Sequence, residues 1–186
     1  GVMMNKPTVT RDGVWLFPCA VWSPEQIKPS QEHPELAHEV GSNLYVSLDE
    51  GRTIAFLGGA NVPDRACDEH MVVERADGSL LMFVRTHYGI GEAVSVDGGR
   101  TFTATARRIP GPGSRFFLRR LASGRLLFIN HVNPEGPQKR ANLTVMLSED
   151  DGKTFIGGLM LDARDSVSYP DGTQDETGRI DITYDF

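Results

Sequence analysis

Apolar residues in this chain come in short runs of strand length, separated by turn signals, along nearly all of its 186 residues. Asp12-Gly13, Asp77-Gly78, Ser123-Gly124 and Thr177-Gly178 each divide two runs rich in apolar and β-branched residues. The second runs are Val14 to Val21, Ser79 to Val84, Arg125 to Ile129 and Arg179 to Tyr184. That punctuation predicts four β-hairpins. A second set of apolar runs, Leu44-Tyr45-Val46, Ala93-Val94 and Leu143 to Leu147, leads each time into one eight-residue pattern. Its copies are SLDEGRTI, SVDGGRTF and SEDDGKTF, beginning at residues 47, 95 and 148. All three read S-x-D-x-G-x-T followed by an apolar residue. The best helical candidate is Ser30 to Val40, which Pro34 interrupts.

The octamer has a structural reading. A Ser or Asp side chain in a tight turn accepts hydrogen bonds from backbone N–H groups a few residues on. Glycine supplies a conformation that residues with a Cβ adopt only at a cost. The closing Thr and apolar residue start the return strand and pin the turn to the sheet. The octamers are therefore fasteners between two strands. The resulting unit is strand A, tight turn, strand B, a longer connection, strand C, octamer turn, strand D. Four antiparallel strands about every fifty residues is the make-up of a β-propeller blade. The chain is thus expected to be all-β, an incomplete propeller of about three and a half blades: residues 1–62, 63–110 and 111–166, then an A–B hairpin over 167–186. Propellers close with about four to eight blades. Exposed sheet faces and edges would then invite self-association or mark part of a longer protein.

Composition narrows the function. A formal charge of −6 with 24% charged residues, well mixed, lacks the basic stripe of a nucleic-acid binder. The apolar runs are too short for a membrane-spanning helix. Residues 1–7 have no apolar leader region. Cys19 and Cys67 are the only cysteines and have no metal-ligand spacing, and Cys19 lies in an apolar run that suits a small buried side chain. His70, His87 and His131 lack H-x-H or H-x-x-x-H spacing, so neither metal nor cofactor is predicted.

The repeat allows equivalent positions to be compared within one sequence. Eight residues before the A–B turn lie Met4, Glu69, Arg115 and Tyr169; seven after each turn glycine lie Ala20, Arg85, His131 and Asp185. In a hairpin these positions face each other across strands A and B, at the end opposite the octamer turn. Strand C begins at that end, which adds Arg140. Structural positions of a repeat should be filled alike, yet these hold unlike polar residues. Glu69, Arg85, Arg115, His131, Arg140 and Tyr169 are therefore a candidate site, the competing reading being a solvated rim with incidental ion pairs. His70 follows Glu69 in a strand, points to the other face and should be packed.

The octamers resemble the Asp boxes, or bacterial neuraminidase repeats, of sialidases and their six-bladed propeller relatives. The stretch from Glu69 to Arg85 resembles the sialidase segment in which a glutamate precedes a strand pair ending in arginine. Gln138-Lys139-Arg140-Ala141-Asn142-Leu143 resembles the segment that carries the last arginine of the family's carboxylate-binding triad. Ser168-Tyr169, with Thr177-Gly178-Arg179-Ile180 and Tyr184-Asp185, resembles the nucleophile segment. The resemblance runs over essentially the whole chain, which maps to the last four blades of six. It implies Tyr169 as nucleophile, Glu69 as its base, and Arg85 and Arg140 as two of three arginines holding a carboxylate.

Those residue types suit the chemistry. Sialic acid bears a carboxylate on its anomeric carbon, which would repel a carboxylate nucleophile, and sialidases use tyrosine instead. A phenol of pKa ~10 is a weak nucleophile, hence the neighbouring glutamate. Arginine forks bind carboxylates bidentately. The family's first triad arginine and its Asp general acid have no counterpart in residues 1–186. Tyr169 is followed by Pro170-Asp171-Gly172, and Asp185 stands where the family has Glu. Asn5-Lys6-Pro7 and Asp68-Glu69-His70 resemble a divergent branch whose sugars differ, where Arg115 and His131 would serve another substrate. The expected function is a sialidase-like exo-glycoside hydrolase with a carbohydrate partner such as a sialoglycoconjugate. The alternatives are a non-catalytic carbohydrate-binding propeller and a hydrolase or lyase for another polysaccharide sugar.

Overall fold

The computed structural model describes residues 5–133 and 138–186, with Asp68 by its backbone alone. Met4, one of the compared positions, lies outside the described residues. Four antiparallel sheets follow one another along the chain. The first joins β1 (Thr8–Val9), β2 (Trp15–Val21), β3 (Gly41–Ser47) and β4 (Ala55–Ala60) in sequence order. The second joins β5 (Arg65–Glu74), β6 (Leu80–Thr86), β7 (Gly89–Ser95) and β8 (Thr103–Pro110) in the same way. The third holds β9 (Phe117–Arg120), β10 (Leu126–His131), β11 (Leu143–Ser148) and β12 (Ile156–Asp162). The chain ends in the hairpin of β13 (Ser168–Gln174) and β14 (Ile180–Asp185).

The chain forms two compact units, one of residues 1–86 with 91–107, the other of 87–90 with 108–186. In the first, Leu16, Leu44, Val72, Leu80, Met82 and Val84 form a buried cluster with Ala60, Val62 and Ala93. In the second, the ring of Phe128 lies 6.2 Å from that of Phe116 and 4.5 Å from that of Phe155. The burial patterns explain the sequence patterns. β6 and β10 are buried at every position and read as continuous apolar runs, whereas β8 and β14 alternate or are exposed.

Both predicted turn types form, each with one geometry throughout. At the A–B turns the N–H groups of Gly13, Gly78, Gly124 and Gly178 donate to the carbonyls of Thr10, Arg75, Leu121 and Asp175. Those glycines have φ of 80°, 84°, 85° and 90°, the left-handed conformation of a glycine bulge that matches the strand twist. At the octamers the Ser hydroxyls of 47, 95 and 148 accept from the N–H of Gly51, Gly99 and Gly152 at 2.8 Å each. Asp49, Asp97 and Asp150 each accept from the N–H and the hydroxyl of the Thr four residues on. The closing residue varies more: Phe155 stacks on Phe128 and Phe102 packs on the core, but Ile54 stays exposed.

The segment Ser30 to Val40 is not an α-helix. It and the residues before it form three short 3-10 turns, Pro24–Gln26, Pro29–Gln31 and Pro34–Glu39. Each opens on a proline, which has no N–H to donate and suits only the first turn of a helix. No helix among the described residues is long and apolar enough to cross a membrane. Cys19 and Cys67 are both free and half-buried, so Cys19 is less enclosed than its apolar run predicts; burial still raises its pKa.

Candidate functional site

In two of the A–B hairpins the regular geometry stops at the end away from the glycine turn. In β5 the register with β6 slips between Arg65 and His70, and Cys67 adopts φ 58°. In β13 it slips between Ser168 and Asp171, and Tyr169 adopts φ 52°. A positive φ is uncommon for any residue with a Cβ and marks an outlier for a bulky one. The slip also corrects the expected pairing: Ser168, not Tyr169, stands opposite Asp185. The bulge turns Tyr169 out of the ladder and leaves it half-buried.

Each unit carries its own part of the predicted set. In the first, Arg85 Nη1 donates to Glu69 Oε2 at 2.7 Å. Glu69 is 5% exposed and Arg85 8%, so the pair is almost fully withdrawn from water. Burying either charge alone would be costly, and the contact between them offsets part of that cost. His70 packs on the opposite face, 1% exposed, with Nε2 2.6 Å from the Asn43 carbonyl. Close by, the Trp22 indole N–H donates to the Cys67 carbonyl at 2.6 Å, two residues before Glu69.

In the second unit, the Arg140 guanidinium carbon lies 6.0 Å from the centre of the Tyr169 ring, within cation–π range. Arg140 Nη2 also donates to the Gly113 carbonyl at 3.1 Å. With Lys139, Asp165 and Ser166 it lines a shallow open cleft. His131 is 2% exposed, and its Nε2 lies 2.8 Å from the Val167 carbonyl. A carbonyl only accepts, so the proton sits on Nε2. Burial lowers the His131 pKa; the Val167 hydrogen bond works against this and the charge of Arg140 with it, and the net direction is down, which favours a neutral ring. Its Nδ1 is buried with no hydrogen-bond partner among the described residues. Arg115 is half-buried just before Phe116, while Arg120, at the far end of β9, bonds Asp151 and so belongs to the octamer side.

The structure thus joins Glu69 to Arg85, and Tyr169 to Arg140, with His131 bonded to the carbonyl two residues before Tyr169. Sequence reasoning missed Trp22 and the carbonyls of Cys67, Gly113 and Val167. The signal was available in part: these three residues each lie two positions before Glu69, Arg115 and Tyr169. No group of three or more His, Cys, Asp or Glu placed to hold a metal occurs among the described residues.

Comparison with known proteins fits these features. The sequence profile of the BNR repeat-like domain matches residues 1–182. No curated protein sequence matches the chain. Among solved structures, a protein of unknown function from Dyadobacter fermentans is 21% identical with a TM-score of 0.67, covering 96% of this chain and 47% of its own. The NanB sialidase of Streptococcus pneumoniae is 16% identical with a TM-score of 0.68, covering 96% of this chain and 26% of its own. The intramolecular trans-sialidase of Ruminococcus gnavus is 19% identical with a TM-score of 0.60, covering 92% of this chain and 36% of its own. At such identities the likeness establishes the fold: the four-stranded sheets are blades of an incomplete β-propeller. The chain spans less than half the length of each of these structures.

Proposed function

The chain belongs to the BNR repeat-like domain family, and from that premise we propose that the full-length protein is a sialidase-like exo-glycoside hydrolase acting on a terminal acidic sugar such as sialic acid. The observation that carries this reading is Tyr169, held at φ 52° on a bulge with the Arg140 guanidinium over its ring. Strained backbone at an aromatic residue is kept where the surroundings impose it, and such sites cluster at functional centres.

In this reading the Tyr169 oxygen attacks the anomeric carbon while its proton passes to Glu69. The glycosidic C–O bond breaks, and the leaving oxygen takes a proton from an acid that the resemblance assigns to a blade outside residues 1–186. Water then attacks the same carbon and gives its proton to that acid's conjugate base. The tyrosyl C–O bond breaks, and Glu69 returns the proton to Tyr169. Two inversions give net retention. Arg140 and Arg85 hold the sugar carboxylate, and the Arg140 charge opposes the negative charge that builds on the phenolic oxygen. Arg115 and His131 belong to the same end of the repeat, where Arg115 flanks the sugar and His131 stays enclosed behind the Tyr169 segment.

A second reading has its own support. Glu69 already accepts a hydrogen bond from Arg85 at 2.7 Å in a buried pair. A carboxylate whose oxygen is already held by a guanidinium is less free to receive a proton from Tyr169, which suits a propeller that grips a carbohydrate without cleaving it. Hydrolysis of a fluorogenic sialoside by the full-length protein separates the two. Turnover that is lost in Tyr169→Phe is expected of the hydrolase. Sialoside binding without turnover in both proteins is the outcome for the binding propeller.

A further inference from the structure

Three backbone carbonyls occupy one position of the repeat, two residues before Glu69, Arg115 and Tyr169, and each is taken by a side-chain N–H. Trp22 Nε1 donates to Cys67, Arg140 Nη2 to Gly113 and His131 Nε2 to Val167, at 2.6, 3.1 and 2.8 Å. The acceptors are equivalent, but the donors are not: an indole, a guanidinium and an imidazole from different points of the repeat. A strand that bulges leaves backbone groups without ladder partners, and a buried carbonyl without a donor is costly. The three side chains meet that need where the A strands depart from regular pairing.

We infer that His131 is a positioning residue, whose Nε2–H, by holding the Val167 carbonyl, fixes the left-handed bulge that presents Tyr169. Val167 is fully buried and Ser168 nearly so, so the segment has little freedom before the bulge. The only hydrogen bond that orients the imidazole among the described residues is this one, since Nδ1 has no partner there. The ring is too enclosed to meet a sugar directly, and it reaches the chemistry through Val167, Ser168 and Tyr169. This role rests on the reading of Tyr169 as the reacting residue. It replaces direct contact with a sugar as the reason for a histidine at this position.

The test compares His131→Gln with His131→Asn in the full-length protein. The Gln amide nitrogen lies where Nε2 lies in histidine and can still reach Val167; the Asn nitrogen corresponds to Nδ1 and cannot. A displacement of about 1 Å at a reacting group costs on the order of 10²-fold in rate. His131→Asn should therefore lose about that factor in kcat on a fluorogenic sialoside with KM little changed, and His131→Gln should recover most of it. The 19F resonance of 3-fluorotyrosine placed at position 169 gives a readout independent of turnover, and can be taken below the melting range of a weakened variant. It should shift in His131→Asn and return in His131→Gln. If the unaltered protein turns over no sialoside, the hydrolase reading fails, and the fluorine signal alone decides the positioning role. An unshifted signal in His131→Asn, or equal losses in both variants, would overturn the inference.

Discussion

The two ends of each sheet obey different rules. At the octamer end, three turns repeat the same Ser, Asp, Gly and Thr contacts within about 0.2 Å of one another. At the other end no two sheets carry the same side chains, the β5 and β13 registers slip, and Tyr169 adopts a positive φ. A repeat duplicates what every copy needs for folding. Where copies diverge while the backbone position stays equivalent, the divergence reflects something other than the fold. That contrast separates aspartates that fasten turns from the Glu, Arg and Tyr that the proposed chemistry uses.

The contrast breaks most visibly at Tyr169. Tyr169→Phe should lower turnover of a sialoside on the order of 10³-fold or more while leaving the melting temperature almost unchanged, read by steady-state kinetics and calorimetry. Next comes the buried pair. Arg85→Ala strands the Glu69 carboxylate away from water and should cost about 3–5 kcal/mol in denaturant unfolding, whereas the double change Glu69→Leu with Arg85→Met should be far milder. At the octamer end, Gly99→Ala places a Cβ 2.9 Å from Leu44 and 3.0 Å from Leu57 at a φ of 95°. It should cost about 1–3 kcal/mol without touching catalysis.

The smallest effects are those of pH. Asp150 is held at a pKa of about 2 by the Thr154 hydroxyl and N–H, and Asp49 and Asp97 are lowered by the same contacts from Thr53 and Thr101. Each folded value lies below that of the unfolded chain, ~3.9. Their contribution is therefore present above that value and is lost as pH falls through the folded value. His131 has a lowered folded pKa too, but as a base: its neutral ring disfavours protonation, so stability begins to fall as pH drops below ~6.5. Asp150→Asn should flatten the acidic part of a melting-temperature profile, and His131→Gln the part just below neutrality.

Much of the fold was legible because its rules are local. The glycine turns and octamers are written in consecutive residues, and strand burial follows from apolar runs. The Glu69–Arg85 contact could be read from two matched offsets around one turn. The Tyr169 bulge could not, since one extra residue in a strand leaves no mark in the pattern of apolar positions. Trp22, Arg140 and His131 share a task but no residue type, and what they bind is backbone carbonyl, which has no letter in a sequence. The segment Ser30 to Val40 shows the reverse error, an apparent helical stretch divided at Pro34, a residue that starts a helix and cannot continue one.

As nucleophile, Tyr169 would form a covalent bond to the anomeric carbon of the sugar. The most direct test of that bond is peptide mapping by mass spectrometry of the full-length protein after exposure to a sialosyl fluoride bearing a second fluorine at C3, which slows hydrolysis of a glycosyl-enzyme by destabilising its oxocarbenium-like transition state. A sialosyl adduct is expected on the peptide containing Tyr169 and should be absent from Tyr169→Phe. An adduct on any other residue, or none in a protein that hydrolyses sialosides, would contradict the nucleophile role.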